Sequence, residues 1–147
     1  MHIHNKKAIF DYTILQKVEA GVSLTGAEVK SLREGHAKLD GAFVRIIGSE
    51  AFLIGSQIFP FQYARPEGYD AARTRKLLLH RKELIQLKSK IDGANLTLVP
   101  VAWYTKGPLI KLEIGVAKGK KQYEKRDIKK REVQKRELDR EFRGKVK

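Results

Sequence analysis

Between Leu109 and Val116 the chain alternates with a period of two: Ile110, Leu112, Ile114 and Val116 are apolar, whereas Lys111, Glu113 and Gly115 are not. Such a stretch buries an apolar face only as a strand with one side packed and the other wetted, so it commits the chain to a sheet. Just before it, Leu96 to Tyr104 is rich in Leu, Val, Trp and Tyr, and Thr105-Lys106-Gly107-Pro108 supplies turn chemistry. The two segments read as a hairpin, with Pro100 placing an edge or a bulge in its first strand. Phe43 to Ile47 and Ala51 to Ile54, around Gly48-Ser49-Glu50, form a second hairpin. Phe10 to Val18, and Ile58 to Tyr63 broken by Pro60, add short strands, and Tyr63 to Ala72 reads as a loop.

Two helices are marked by their ends. Thr25 and Glu28 have the spacing of a capping box, Val29 and Leu32 share a face, and Gly35 is a stop after Lys30 and Arg33,. His80 to Ile91 carries Leu84, Leu87 and Ile91 on one stripe and is closed by Asp92-Gly93,. Short strands, two helices and no repeated strand-helix-strand unit give a mainly β fold with flanking helices, a small closed or nearly closed β-barrel.

Charge divides the chain. Its 147 residues carry 31 Lys and Arg against 17 Asp and Glu, a net charge of +14, which suits a polyanionic partner,. Residues 118–147 hold 14 of the bases and 6 of the acids but few large apolar residues: Tyr123, Ile128, Val133, Leu138, Phe142 and Val146. Of the apolar positions tested at helical spacing, only Leu138 and Phe142 share a stripe, so a core-packing helix is disfavoured. Favourable pairs such as Asp127 with Arg131 are opposed by like pairs such as Lys125 with Lys129,. The expected organisation is a folded body, residues 1–117, and a basic tail, residues 118–147, loose alone and helical once bound phosphates remove the repulsion.

Several function classes fall away. Without cysteine there is no disulfide framework, thiolate zinc site or cysteine nucleophile,. His2, His4, His36 and His80 lack metal-ligand spacing, and no nucleophile elbow, P-loop or dinucleotide-binding glycine pattern is present,. No metal, cofactor or catalytic residue is expected. The sequence shows no membrane-length apolar run and no signal-peptide stretch, so the expectation is a cytoplasmic monomer,. Among the basic clusters, Lys118 to Arg126 sets a glycine among lysines with Tyr123 available to stack on a base,. Arg73-Thr74-Arg75-Lys76 before Leu77-Leu78-Leu79 is either a nucleic-acid contact or the flank of a buried strand. Glu19, beside Ala20-Gly21, is better suited to accept hydrogen bonds from base or ribose donors than to act as a general base.

Taken together these residues resemble one family, the SsrA-binding proteins, also called small protein B. The resemblance rests on Asn5-Lys6-Lys7-Ala8 with Phe10-Asp11-Tyr12, Glu19-Ala20-Gly21-Val22 with Leu24, and Glu28-Val29-Lys30-Ser31-Leu32-Arg33 with Gly35. It continues through Arg73, Arg75-Lys76-Leu77-Leu78-Leu79-His80, Gly115 to Lys121 and Lys125-Arg126, in family order across nearly the whole chain. It implies an oligonucleotide-binding (OB) type β-barrel that holds the tRNA-like end of transfer-messenger RNA. It further implies entry into stalled bacterial ribosomes, with the tail in the empty message channel beyond the decoding centre, and no catalysis. Carried over by residue, the RNA-binding positions are Asn5, Lys6, Lys7, Glu19, Arg75, Lys76, Leu77 and Leu78. The ribosome-binding positions are Gly119, Lys120, Lys121, Tyr123, Lys125, Arg126, Lys129, Lys130 and Arg131, with Leu138 and Phe142 as apolar anchors. Glu124 stands where Asp is frequent, Ala71 where Pro is frequent, and the tail has no Trp. The alternative is a ribosomal or other structural RNA-binding barrel.

Overall fold

The computed structural model describes residues 1–60 and 68–120. The alternating segment is the centre of strand β9 (Leu109–Gly119), which forms an antiparallel hairpin with β8 (Thr97–Lys106). Lys106 pairs with Leu109, so the turn is only Gly107-Pro108, with Gly107 at φ +60. At Pro100 the register slips before Ala102, which is the expected bulge,.

The other edge of β9 pairs with β2 (Tyr12–Val22), from Tyr12 opposite Gly119 to Gly21 opposite Lys111. The sheet continues through β7 (Arg75–Leu78), β5 (Glu50–Ile54) and β4 (Phe43–Ile47) back to β8. Because β8 also pairs with β9, these six strands close into a ring, and closure removes the exposed edges that an open sheet would present,. A short strand, β1 (His2–His4), lies along the free end of β8, with His2 opposite Tyr104. Two further short strands, β3 (Ala37–Lys38) and β6 (Gln57–Ile58), pair with each other.

The interior is filled from every wall: Ala20, Val44, Leu53, Leu77, Leu98, Trp103, Leu112, Ile114 and Val116 are all buried. Helix α3 (Arg81–Ala94) adds buried Leu87, with Leu84 and Ile91 beside it, the stripe expected from the spacing. It does not stop at Asp92-Gly93. The helix runs through both, and Asn95 ends it in the left-handed conformation at φ +55, which Asn tolerates better than most residues,. Helix α2 (Gly26–Arg33) has both capping-box bonds, Glu28 N–H to Thr25 Oγ1 at 3.2 Å and Thr25 N–H to Glu28 Oε1 at 2.9 Å.

Further expectations need correction. Phe10 belongs to a helix, α1 (Lys6–Asp11), because Asn5 caps it by accepting from the Ala8 N–H at 3.1 Å; the strand begins only at Tyr12. Of the stretch Ile58 to Tyr63, Ile58 is in strand β6 and Phe59-Pro60 are not in a strand. The remainder lies outside the described residues, as does part of the expected loop. The outer face of β9 is also not wetted throughout. Ala8 of α1 packs with Val99 and Ala117 into a small second core, with Tyr12 and Ile14 beside it.

That second core dictates the glycine at 115. A Cβ there would stand 2.9 Å from Val101 Cγ2 and 3.1 Å from two carbons of Ile14, and these stiff branched side chains cannot swing clear,. Gly115→Ala therefore loses ~1–3 kcal/mol of stability by overpacking, read as a lowered urea midpoint.

Candidate nucleic-acid interface

The site is organised by one buried acid. Glu28, in the first turn of α2, is 2% exposed and faces Arg75, the first residue of β7, which is 0% exposed. Arg75 Nε donates to Glu28 Oε2 at 2.7 Å and its Nη2 lies 2.6 Å from the same oxygen; Arg73 Nη2 donates to Oε1 at 2.6 Å. The remaining Arg75 donors go to Ser56 O and Oγ, Arg73 O and Ala71 O, at 2.9 to 3.2 Å. Burial alone pushes the Glu28 carboxyl up. The Arg73 guanidinium, the Thr25 N–H and Arg75 more than offset that, leaving it below its ordinary 4.5,.

With Arg75 fixed inward, strand parity sets its neighbours. Lys76 and Leu78 face out and Leu77 faces the core, so the expected Leu77-Leu78 strip is divided between the two sides of the wall. Leu78 is 55% exposed, yet it lies against β2 opposite Gly21. A Cβ on Gly21 would come 3.2 Å from Leu78 Cβ, so the glycine lets the leucine lie flat there. Beside them is a cleft of about 600 Å³ lined by Gly21, Lys76, Leu78, His80, Leu84 and Lys111.

Glu19 stands two residues before Gly21, on the same face of β2,. Its Oε2 accepts from the Tyr104 hydroxyl and its Oε1 from Lys106 Nζ at 3.3 Å. The Tyr104 hydrogen bond, aided by Lys106 and Lys111, holds the carboxyl below its ordinary value against the opposing effect of desolvation. Tyr104 is pushed well above its ordinary value, chiefly by burial and then by this hydrogen bond. The face therefore presents an ionised acceptor, an exposed apolar side chain and several lysines side by side. This set of groups can hold an unstacked nucleotide and its phosphates.

Not every expected contact is on that face. Asn5 is buried, with its amide nitrogen donating to Leu39 O at 3.2 Å and Pro100 O at 2.8 Å and its oxygen capping α1. Asn5 and Arg75 thus spend their polar atoms inside the protein, and they shape the surface from beneath. Lys6 and Lys7 are exposed on α1, whose C-terminal end is held by Lys120: its N–H donates to Asp11 O at 2.9 Å and its Nζ to Ile9 O at 3.0 Å. Gly119 is the exposed last residue of β9. Lys121, Tyr123, Lys125, Arg126, Lys129, Lys130, Arg131, Leu138 and Phe142 lie outside the described residues. Sequence reasoning missed Tyr104, Lys106 and Lys111. The hairpin register with its two-residue turn, which sets Tyr104 opposite Lys111, is the signal that finds them. Among the described residues no group of three His, Cys, Asp or Glu side chains is placed to hold a metal ion, and no helix is long and apolar enough to cross a membrane.

Comparison with known proteins agrees across nearly the whole length. A family model described as SmpB protein matches residues 2–144. The SsrA-binding protein of Sulfurihydrogenibium sp. (strain YO3AOP1) is 50% identical over 143 residues, 97% of this chain and 94% of that one. The SsrA-binding protein of Persephonella marina is 44% identical over 143 residues, with the same coverage of 97% and 94%. Among solved structures, a chain from "tmRNA-SmpB: a journey to the center of the bacterial ribosome" superposes with a TM-score of 0.68 at 40% identity, covering 82% of this chain and 85% of that chain.

The depressed Glu28 carboxyl makes stability depend on pH in a definite direction. Its contribution is fully present above the ordinary value of 4.5 and is lost as pH falls below that through the depressed folded value,. Glu28→Gln leaves Arg75 buried beside a neutral group. It should lower stability at pH 7 by ~3–5 kcal/mol and flatten the acid limb of the stability curve. Denaturant midpoints of both proteins between pH 7 and pH 3 measure this.

Proposed function

The chain belongs to the SmpB protein family, and from that premise we propose that it binds the tRNA-like domain of transfer-messenger RNA and delivers it to stalled bacterial ribosomes for trans-translation. The observation that carries this for the present chain is the face made by Glu19, Lys76, Leu78 and Lys111 on a protein of net charge +14. It acts by binding and placement, without catalysis, and its place of work is the bacterial cytoplasm.

Within this reading the body, residues 1–117, holds the RNA. Glu19 accepts donors from a base or ribose, Leu78 covers an unstacked base, and Lys76, Lys106 and Lys111 hold the backbone. Leu77, Arg75 and Asn5 support that face from inside, and Lys6 and Lys7 extend the positive surface along α1. The tail, residues 118–147, addresses the ribosome through Gly119, Lys120, Lys121, Tyr123, Lys125, Arg126, Lys129, Lys130 and Arg131, with Leu138 and Phe142 as apolar anchors. Message in the channel would occupy the same volume and present its own negative charge, so the tail finds its phosphates only where the channel is vacant.

Leu78→Ala removes an exposed side chain, so the fold keeps its denaturation midpoint while affinity for the tRNA-like domain falls by ~1–3 kcal/mol. If about 6 phosphates are neutralised, log affinity of the unaltered protein falls with log salt at a slope of about −4 to −5; a flat response rejects a charge-driven interface.

Ending the chain after Lys129 should leave affinity for transfer-messenger RNA nearly unchanged and abolish tagging on stalled ribosomes. Equal loss of both activities rejects the division of labour. RNA recovered with the purified protein tests the partner directly, since a structural ribosomal protein would bring down a whole subunit in place of one free RNA.

A further inference from the structure

The Glu19 carboxylate is exposed but not loose. Tyr104 donates its hydroxyl to Oε2, Lys106 donates to Oε1 at 3.3 Å, and the side chain is 37% exposed. Each carboxylate oxygen accepts two hydrogen bonds, so one acceptor position remains on each. Two adjacent acceptors at fixed spacing match two adjacent donors on one edge of a partner. Among the four common bases only guanine offers that pair on its Watson–Crick edge, from N1–H and the N2 amino group. Adenine and cytosine set one amino group beside an acceptor, and uracil sets one N–H between two acceptors.

Building on the transfer-messenger RNA reading, we infer that Glu19 selects an unpaired guanosine through N1–H and the N2 amino group, with Tyr104 as the residue that positions the carboxylate. The surroundings favour a nucleotide over an arginine of a protein partner. Lys106 and Lys111 stand by the carboxylate; Glu113 opposite Glu19 is paired with Lys17 at 3.4 Å and Glu50 in the adjoining cleft with Lys76 at 3.2 Å, so the excess charge of a +14 chain decides, repelling a guanidinium and attracting a phosphate,. The depressed carboxyl of Glu19 keeps it an acceptor at neutral pH, as a donor-bearing edge requires. Gly21, two residues along the same face of β2, leads to Leu78 in the cleft, and the ring of His2 meets that of Tyr104 edge-on at 6.4 Å. The corner is thus bounded by side chains with apolar or ring surface that suits a base.

The test measures binding of full-length protein to the tRNA-like domain, with each unpaired guanosine replaced in turn by inosine, which lacks only the N2 amino group. Unaltered protein should lose affinity about tenfold at one position, as expected for a bidentate base contact. Glu19→Gln should bind that inosine transcript and the parent equally. Tyr104→Phe should lose part of the same discrimination and add nothing when combined with Glu19→Gln. Unfolding midpoints confirm that each variant is folded. Tolerance of inosine at every position, an inosine penalty that persists in Glu19→Gln, or independent effects of the two substitutions would each overturn the inference. If the unaltered protein shows no preference for the tRNA-like domain over bulk tRNA, the binding reading itself fails and takes this inference with it.

Discussion

A buried carboxylate held by one buried and one half-exposed guanidinium sets the geometry on which the rest of this surface depends. Glu28 is an N3 residue of a short helix, and there it does two things at once: it closes the capping box on Thr25 and receives Arg73 and Arg75 from a distant part of the chain. Removing either partner of such a pair leaves a buried charge without compensation, a loss on the order of 3–5 kcal/mol. The position of α2, the path of residues 71 to 75 and the start of β7 are therefore coupled. Arg75 extends the coupling to Ser56 through its Nη1. Because one strand residue points inward, its neighbours at 76 and 78 must point outward, and a slip by one residue would reverse the whole set.

The barrel converts that local constraint into a surface. Closure through β8 and β9 places β2, β9 and β8 side by side, so Glu19, Lys111, Tyr104 and Lys106 come from three strands yet lie on one face. The bulge at Pro100 belongs to the same arrangement. Beyond it, β8 has one edge on β9 and the other available to β1, which brings His2 to Tyr104. On the opposite parity, α1 covers Val99 and Ala117 through Ala8, and Lys120 ties the end of β9 to Ile9 and Asp11 of that helix. The chain thus leaves β9 at Lys120, a position fixed against α1.

Much of this was legible in the sequence, for reasons that differ by element. The β8–β9 hairpin, the β4–β5 hairpin and the capped helix α2 are local structures whose signals lie within a few residues of one another, and each is present. Helix α1 is not legible from periodicity, because it has only six residues and buries only Ala8, and the amide nitrogen of its cap Asn5 is held by Leu39 and Pro100, 34 and 95 residues away. The inward role of Arg75 is hidden in the sequence for a related reason. A basic cluster before a leucine run does not reveal which arginine meets a buried acid 47 residues away. Glu19 was identified as a hydrogen-bond acceptor, but the hydroxyl that aims it comes from 85 residues further along.

The distribution of charge separates how tightly this protein holds a polyanion from what it selects. The lysines on the face and along the tail attract phosphate without regard to sequence, and their contribution weakens as salt rises. An acid placed among them opposes that attraction, and general affinity gives no reason to keep one there. It becomes useful only if something it accepts from differs between the right and the wrong partner, because a base that fails to supply the donors leaves an ionised group desolvated and unpaired. Holding the carboxylate between a tyrosine hydroxyl and a lysine keeps it ionised and fixed in direction, so the penalty for a wrong base is not relieved by a side chain turning away. On the proposed reading, the dispersed cations set how strongly the protein binds, and Glu19, restrained by Tyr104 and Lys106, sets which nucleotide they bind around.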